Sequence, residues 1–357
     1  MGDPRKSMTY RGTNIKSVLA FGNPLLDVTL LSQDKIKEIL EKYNLKKDSQ
    51  REITKDEMVQ LSQDIEGEAL CISAGGCCQN TLRMMQWILH KKGSAAIFGS
   101  VGIDPEADIL KNTLANDGVI TRYIEQTDLP TGKTIALVDG CYRCLVAHIG
   151  AAEVLPLPSL LSCENFPSVF ASSDIILIET FFLTNRFETV KYIIELCLKN
   201  GKQLVCNLGG EYIFEVAPEE IKFLIKHSHI IIGNLNEFVA LKNLLSHQSV
   251  EQMAENLIKN ENVAVKIIVI TNGPEPTKCF HDGQIEIIRP PVLSEEEILD
   301  TTGAGDAFIG GFLAGLSCTK SVPECIQIGF YSASHIIKQR GCSIPEYKST
   351  ILTELFS

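Results

Sequence analysis

ILDTTGAGDAFIGGFLAGL, residues 298–316, decides how the rest of the chain is read. Gly303, Ala304 and Gly305 put nothing bulky over the backbone, so successive N–H groups can converge on one anion. The apolar run that follows supplies a helix whose positive end adds to that field. Phosphoryl transfer builds charge on equatorial oxygens, and such a nest stabilises it. Asp306 stands at the rim. Acids are common near helix starts, so a capping acid is the competing account. Three small residues ahead of it favour a base that takes a proton from an attacking hydroxyl.

Two look-alike motifs fail. TGKT at 131–134 imitates the end of a P-loop, but Thr127 stands where the first glycine is needed and Pro130 sits inside the loop. GAGDAF imitates a dinucleotide fingerprint, but Phe308 holds the third glycine position and the motif lies near the C-terminus.

The 357 residues suffice for one large α/β domain with an appendage, and 45% hydrophobic content can bury a core. A net charge of −11, with 44 acidic against 33 basic residues, argues against nucleic acid as partner. The polar start MGDPRKSMTYRG lacks the apolar stretch of a secretory signal. No run approaches the ~18 apolar residues of a membrane span. The 12 cysteines lie mostly in apolar stretches, as reduced thiols would. These features predict a cytoplasmic protein, and a nuclear pool is compatible with them. Cys141 and Cys144 have the spacing of half a zinc site, but no second pair matches them and a turn precedes them. Cys77 and Cys78 read as small residues beside a glycine pair.

Six apolar runs, beginning at Val18, Ala96, Ile175, Gln203, His229 and Lys266, read as buried parallel strands. RFETVKYIIELCLKN and VEQMAENLIKN between them read as amphipathic helices. The expected fold is therefore α/β, a mostly parallel central sheet covered by helices on both faces. Two stretches break that rhythm. Residues 29–70 are polar and partly helical, and 130–150 read as a hairpin around Asp139-Gly140. Together they predict a small lid, with 15–28, 71–129 and 151–350 forming a large nucleotide-binding domain.

DTTGAGDAFIGG, taken with FGNPLLDV at 21–28, AGGCCQNTL at 74–82, FFLT at 181–184 and GNLNE at 233–237, resembles the ribokinase-like (PfkB) carbohydrate and nucleoside kinase family, specifically its adenosine-phosphorylating branch. The resemblance covers nearly the whole chain. It implies a ribokinase-like fold with a small α/β lid, and ATP-dependent phosphorylation of the adenosine 5′-hydroxyl to give AMP and ADP. Asp306 matches the base, and Gly303, Ala304 and Gly305 match the anion hole. Asp27, helped by Asn23, would hold the ribose hydroxyls. Gly75 and Gly76 would let backbone approach the ribose, with Asn80 adding an amide contact. Leu25, Leu145, Ala147 and Phe182 match the apolar walls of the purine site. Arg143 matches an arginine that reaches over the transferring phosphate. Asn234 and Glu237 match an N-x-x-E motif acting on Mg²⁺ and phosphate largely through water. Thr271 and Gly273 fall at a strand end where ATP would lie.

This sequence departs from the family pattern at four positions. Cys77 stands where serine is common, and Thr134 where a small thiol or hydrophobe is usual. Glu52 stands about where an apolar lid residue is expected, and Phe330 where a histidine meets the ATP adenine. They bear on substrate breadth and ATP affinity. A sibling sugar kinase is the nearest alternative, and a non-catalytic nucleoside-binding protein is a second. The apolar wall set favours a flat base over a bare sugar, and the intact GAGD favours catalysis. The polar 29–70 segment leans toward a monomer.

Overall fold

A computed structural model describes residues 15–46, 49–139 and 142–356. The strands, in chain order, are β1 Val18–Phe21, β2 Leu25–Leu30, β3 Gln50–Glu52, β4 Leu70–Gly75, β5 Ala95–Gly102, β6 Ile120–Gln126 and β7 Gly132–Asp139. They continue as β8 Tyr142–His148, β9 Ile175–Glu179, β10 Gln203–Asn207, β11 Ile230–Asn234, β12 Ile267–Asn272, β13 Glu275–His281 and β14 Gln284–Ile288. The helices used below are α1 Gln33–Lys42, α2 Lys55–Asp64, α3 Cys77–Leu89, α4 Pro105–Asn116, α5 Phe187–Asn200, α6 Leu235–Leu244, α7 Val250–Lys259, α8 Ala304–Ser317 and α9 Val322–Ile336.

The large sheet has nine strands in the order β14-β13-β12-β11-β10-β9-β1-β5-β6. All six expected runs enter it and pair in parallel. Ile175–Glu179 is buried at every residue, as a strand covered on both faces must be. Three strands had no signal of that kind. β6 is nowhere fully buried, and β13 and β14 return antiparallel at the other edge. Alternate residues of β1 feed opposite cores, Val18 and Ala20 on one face, Leu19 and Phe21 on the other. On the first face α8 packs between α3 and α9. On the second, α5 and α7 cover the sheet through residues such as Ile193, Ile194 and Met253.

The other sheet has five strands, ordered β3-β8-β7-β2-β4. The expected hairpin is β7 and β8, paired antiparallel. The boundaries set from composition are too narrow, because Leu25–Leu30 and Leu70–Gly75 also belong here and pair with each other. Polar Asp27 and Thr29 interrupt the apolar run of β2, but the strand alternates, burying Leu26, Val28 and Leu30 on one side only. A one-faced sheet of this kind needs only that alternation.

In the large sheet, strand order reverses beside β1, with β5 on one side and β9 on the other. Open α/β sheets bind ligands beyond the carboxyl ends of strands at such a switch. The segments after β1, β9, β10 and β11 are therefore where a site should form.

Candidate active site

A cleft of about 540 Å³ opens there, lined by residues from the ends of β9, β10, β11 and β12 and by the first turn of α8. Cys77, Asn234, Glu237, Thr271, Gly305 and Asp306 all face it.

The DTTGAGD loop is shaped from within. Asp300 accepts from the Thr302 N–H (2.8 Å) and hydroxyl (2.6 Å) and from the Gly341 N–H (2.9 Å). Gly303 then caps α8 with φ +76, and a Cβ there would come 2.7 Å from the Cys342 sulfur. Glycine is thus required twice over. The Ala304 N–H, expected to face an anion, donates instead to the Thr301 carbonyl (3.2 Å). The first bond to a carbonyl four residues back is Ala307 to Gly303 (2.8 Å), so the Gly305 and Asp306 amides precede the helical ladder. The protein itself does not demand glycine at 305, since a Cβ there would meet nothing within 4 Å. The absent side chain leaves the helix mouth open to a ligand.

Asp306 is held from α3. The Asn80 side-chain amide donates to its Oδ2 (3.0 Å), and the Thr81 hydroxyl to its backbone carbonyl (3.2 Å). Burial pushes the Asp306 carboxyl up to about 7. The Asn80 bond opposes that rise, the charges of Glu179 and Asp27 add to it, and a Cys77 hydrogen bond opposes it. A carboxyl so placed can gain and lose a proton near neutrality. Asn80 was expected at the ribose, and here its amide holds Asp306. Its Oδ1 is buried without a partner among the described residues.

Phe182 and Asn23, expected at the nucleoside, have partners inside the protein. Phe182 is fully buried, tilted against Phe21 (6.0 Å) with the Arg186 guanidinium over its ring (4.3 Å). The short 3₁₀ turn Thr180–Leu183 directs it inward and leaves its neighbour Phe181 on the cleft, packed over Gly209 and Gly210 and 5.9 Å from the Tyr212 ring. Asn23 is 8% exposed and occupied: its Oδ1 accepts from Arg186 (2.8 Å), and its amide faces the Phe181 carbonyl (3.5 Å).

The small sheet supplies a second wall. In register, Ser73, Asp27, Thr134, Ala147 and Glu52 form one transverse row. Residues paired across strands share a face, so Asp27 and Ala147 lie on the side away from Leu26 and Val28. Leu25 and Leu145 belong to the same face, each half-buried. Asp27 packs so closely on Gly75 that a Cβ there would lie 2.1 Å from its carboxyl carbon. Gly76 follows with φ +85 at the entrance to α3. Burial and the charge of Glu153 raise the Glu52 carboxyl. Arg143 falls on β8, but its side chain lies outside the described residues, as does Cys141. Cys144 is buried.

Asn234 and Glu237 form a reciprocal cap on α6, the Glu237 N–H donating to Asn234 Oδ1 (2.9 Å) and the Asn234 N–H to Glu237 Oε2 (2.8 Å). Burial pushes the Glu237 carboxyl up to about 7, and the charges of Asp306 and Glu211 add to the rise. Among the described residues no three acidic, histidine or cysteine side chains converge as a metal cage. A partly desolvated carboxylate sharing the cleft with a second acid fits a magnesium ion that keeps most of its waters. Thr271 donates its hydroxyl to the Gly233 carbonyl (3.2 Å) at the cleft wall. Gly273 does not reach the cleft; it is an exposed turn residue with φ +56. Phe330 is buried edge-on against Phe308 (5.5 Å), behind the cleft.

Sequence reasoning missed Phe181, Tyr212 and Glu179. For Phe181 the signal was the doublet itself, since adjacent residues in a tight turn face opposite ways. For Tyr212 it was the preceding Gly209-Gly210, which makes room for an aromatic ring.

Residues 50–349 match the family model described as pfkB family carbohydrate kinase. An adenosine kinase of Dictyostelium discoideum is 30% identical over 337 residues, 93% of this chain and 97% of its own. The adenosine kinase of Saccharomyces cerevisiae is 30% identical over 346 residues, with the same two shares. The crystal structure of Anopheles gambiae adenosine kinase, in complex with P1,P4-di(adenosine-5) tetraphosphate, superposes with a TM-score of 0.83 at 28% identity, covering 92% of this chain and 98% of that one. That of Schistosoma mansoni, in complex with adenosine and AMP, gives 0.81 at 27% identity, covering 92% and 97%.

Proposed function

Because the chain belongs to the pfkB family of carbohydrate kinases, we propose that it transfers the γ-phosphoryl group of ATP to the 5′-hydroxyl of adenosine, giving AMP and ADP. The observation that carries this reading is Asp306, held by Asn80 at the open mouth of α8 with its carboxyl poised near neutrality. Nucleoside-phosphorylating relatives that match over nearly their full length support adenosine over a bare sugar.

In this reading adenosine lies between the small sheet and the cleft. Asp27 accepts hydrogen bonds from the ribose diol, as an ionised carboxylate can. Leu25, Leu145, Ala147 and Phe181 give the base apolar surfaces. Asp306 takes the proton of the 5′-hydroxyl as that oxygen bonds to the γ-phosphorus. The bond from phosphorus to the bridging oxygen breaks, and ADP leaves with that electron pair. The amides of Gly305 and Asp306 and the end of α8 receive the charge on the equatorial oxygens. Bound magnesium, held near Glu237 through water, would screen the phosphate charge. Thr271 and Asn234 flank the ATP side. The small sheet acts as a lid whose closure excludes water as a competing acceptor. The protein works as a cytoplasmic monomer in purine salvage.

The test is ADP release with adenosine, inosine, ribose or fructose as acceptor, run beside Asp306→Asn. Turnover with adenosine that vanishes in the variant supports both the substrate and the base. Preference for a sugar would move the chain to a sibling activity.

A further inference from the structure

Chain passes between the two sheets at Gly22–Pro24, Gly76, 127–131 and 149–150. The first two crossings abut, since a Cβ on Gly76 would come 2.1 Å from the Asn23 carbonyl oxygen. One buried carboxylate, Glu179 at the end of β9, fastens both. Its Oε1 accepts from the Asn23 N–H (2.8 Å) and its Oε2 from the Cys78 N–H (2.9 Å). Arg186, also buried, donates to the Asn23 side-chain oxygen (2.8 Å), to the Phe181 carbonyl (3.0 Å) and to the Ala152 carbonyl just past the last crossing. An acid and a cation, 1% and 3% exposed, thus hold three of the four crossings.

Burying charge is costly, and apolar packing could fill the same volume more cheaply. What charge adds here is direction. Two backbone N–H groups converge on one carboxylate, and strong, oriented hydrogen bonds of this kind fix geometry. The segments they fix lead directly into the site. Asn23 leads into β2, which carries Asp27, and Asn80 follows Cys78 in the first turn of α3, where it holds Asp306.

We propose that Glu179, seconded by Arg186, is a positioning residue that keeps β2 and α3 in register, so that the nucleoside wall and the base meet at one distance. The proposal rests on the kinase reading above. Glu179 does not line the cleft; it fixes geometry through Asn23, Cys78 and Asn80, and its charge besides adds to the rise of the Asp306 carboxyl.

The test is Glu179→Gln, which keeps the shape but offers a single acceptor oxygen, so one buried N–H loses its partner. The comparison variant is Ile194→Val, a trimming of the distant core behind α5 that controls for stability loss. Expected is a change of about tenfold or more in adenosine KM or in kcat, with ATP KM unchanged within about twofold. Ile194→Val should leave all three constants in place. A folded Glu179→Gln protein with wild-type constants, or one in which both substrates' KM values rise together, overturns the proposal. Wild-type turnover with adenosine, measured in the same series, reports separately on the kinase reading. If Glu179→Gln does not fold, Arg186→Lys carries the same expectation, because it keeps the cation but loses the fork whose two nitrogens reach Asn23 and Ala152 on one side and Phe181 on the other.

Discussion

Asn80 reaches from the first turn of α3 to Asp306 in the first turn of α8, and its amide donates across 3.0 Å to Oδ2. Two helix starts far apart in sequence thereby meet over one carboxylate. The contact favours the ionised carboxyl while burial disfavours it, and burial is the larger effect, leaving the group near 7. Removing the amide should therefore raise the carboxyl further. Asn80→Ala is expected to move the acidic limb of the kcat profile to higher pH by about one unit or more, the size of a charge-assisted hydrogen bond. Cys77, Asp27, Glu179, Glu237 and Cys342 also face or sense this carboxyl and stay in place. A pH profile from about pH 5 to 9 reads the shift; a limb that moves down refutes the electrostatic account.

Asp306→Asn should cost about 10²–10⁴ in kcat, the usual contribution of a general base, while adenosine still binds. The same substitution carries a stability signature of defined sign. The folded carboxyl lies above its ordinary value of 3.8, so the fold disfavours the ionised form. Below about pH 4 the group is protonated in both states and costs nothing. Between about pH 4 and 7 the wild-type protein loses stability as pH rises, whereas the substituted amide has no proton to lose. The Tm advantage of Asp306→Asn should grow from about pH 5 to pH 8 in calorimetric scans.

Six strands of the large sheet were legible because they are mostly buried and read as continuous apolar runs, Ile175–Glu179 being the plainest case, whereas the edge strands β6, β13 and β14 gave no such signal. The reach of the small sheet was not, because β2 carries Asp27 and Thr29 on its open face and composition alone scores them as loop. The glycine turn and the acid at the mouth of α8 were readable from local chemistry. The partner of Asp306 was not, since Asn80 and Asp306 are 226 positions apart and only the packing of α3 on α8 joins them. The partner of Asn23 was hidden for a related reason: nothing near it in sequence announces Arg186, which donates to its side-chain oxygen.

Phe181 and Phe182 give a clean contrast. Phe182 is wholly enclosed between Phe21 and Arg186, so Phe182→Ala should cost about 3–5 kcal/mol of stability, seen in denaturant unfolding. Phe181 faces the cleft beside Tyr212, so Phe181→Ala should unfold nearly normally but raise adenosine KM several-fold. Exchanged outcomes would return Phe182 to the purine wall.

The magnesium reading turns on Glu237, which has two roles that one substitution separates. Glutamine can still accept from the Asn234 N–H and cap α6, so Glu237→Gln should leave Tm within a few degrees. It removes the only acid of the N-x-x-E motif, so the Mg²⁺ concentration for half-maximal turnover should rise about tenfold at fixed ATP. Chelation of divalent ions should abolish turnover while adenosine binding, measured by calorimetry, persists. An unchanged Mg²⁺ requirement in Glu237→Gln would restrict that residue to capping its helix and move the search for the ion's protein contact to the rim around Asp306.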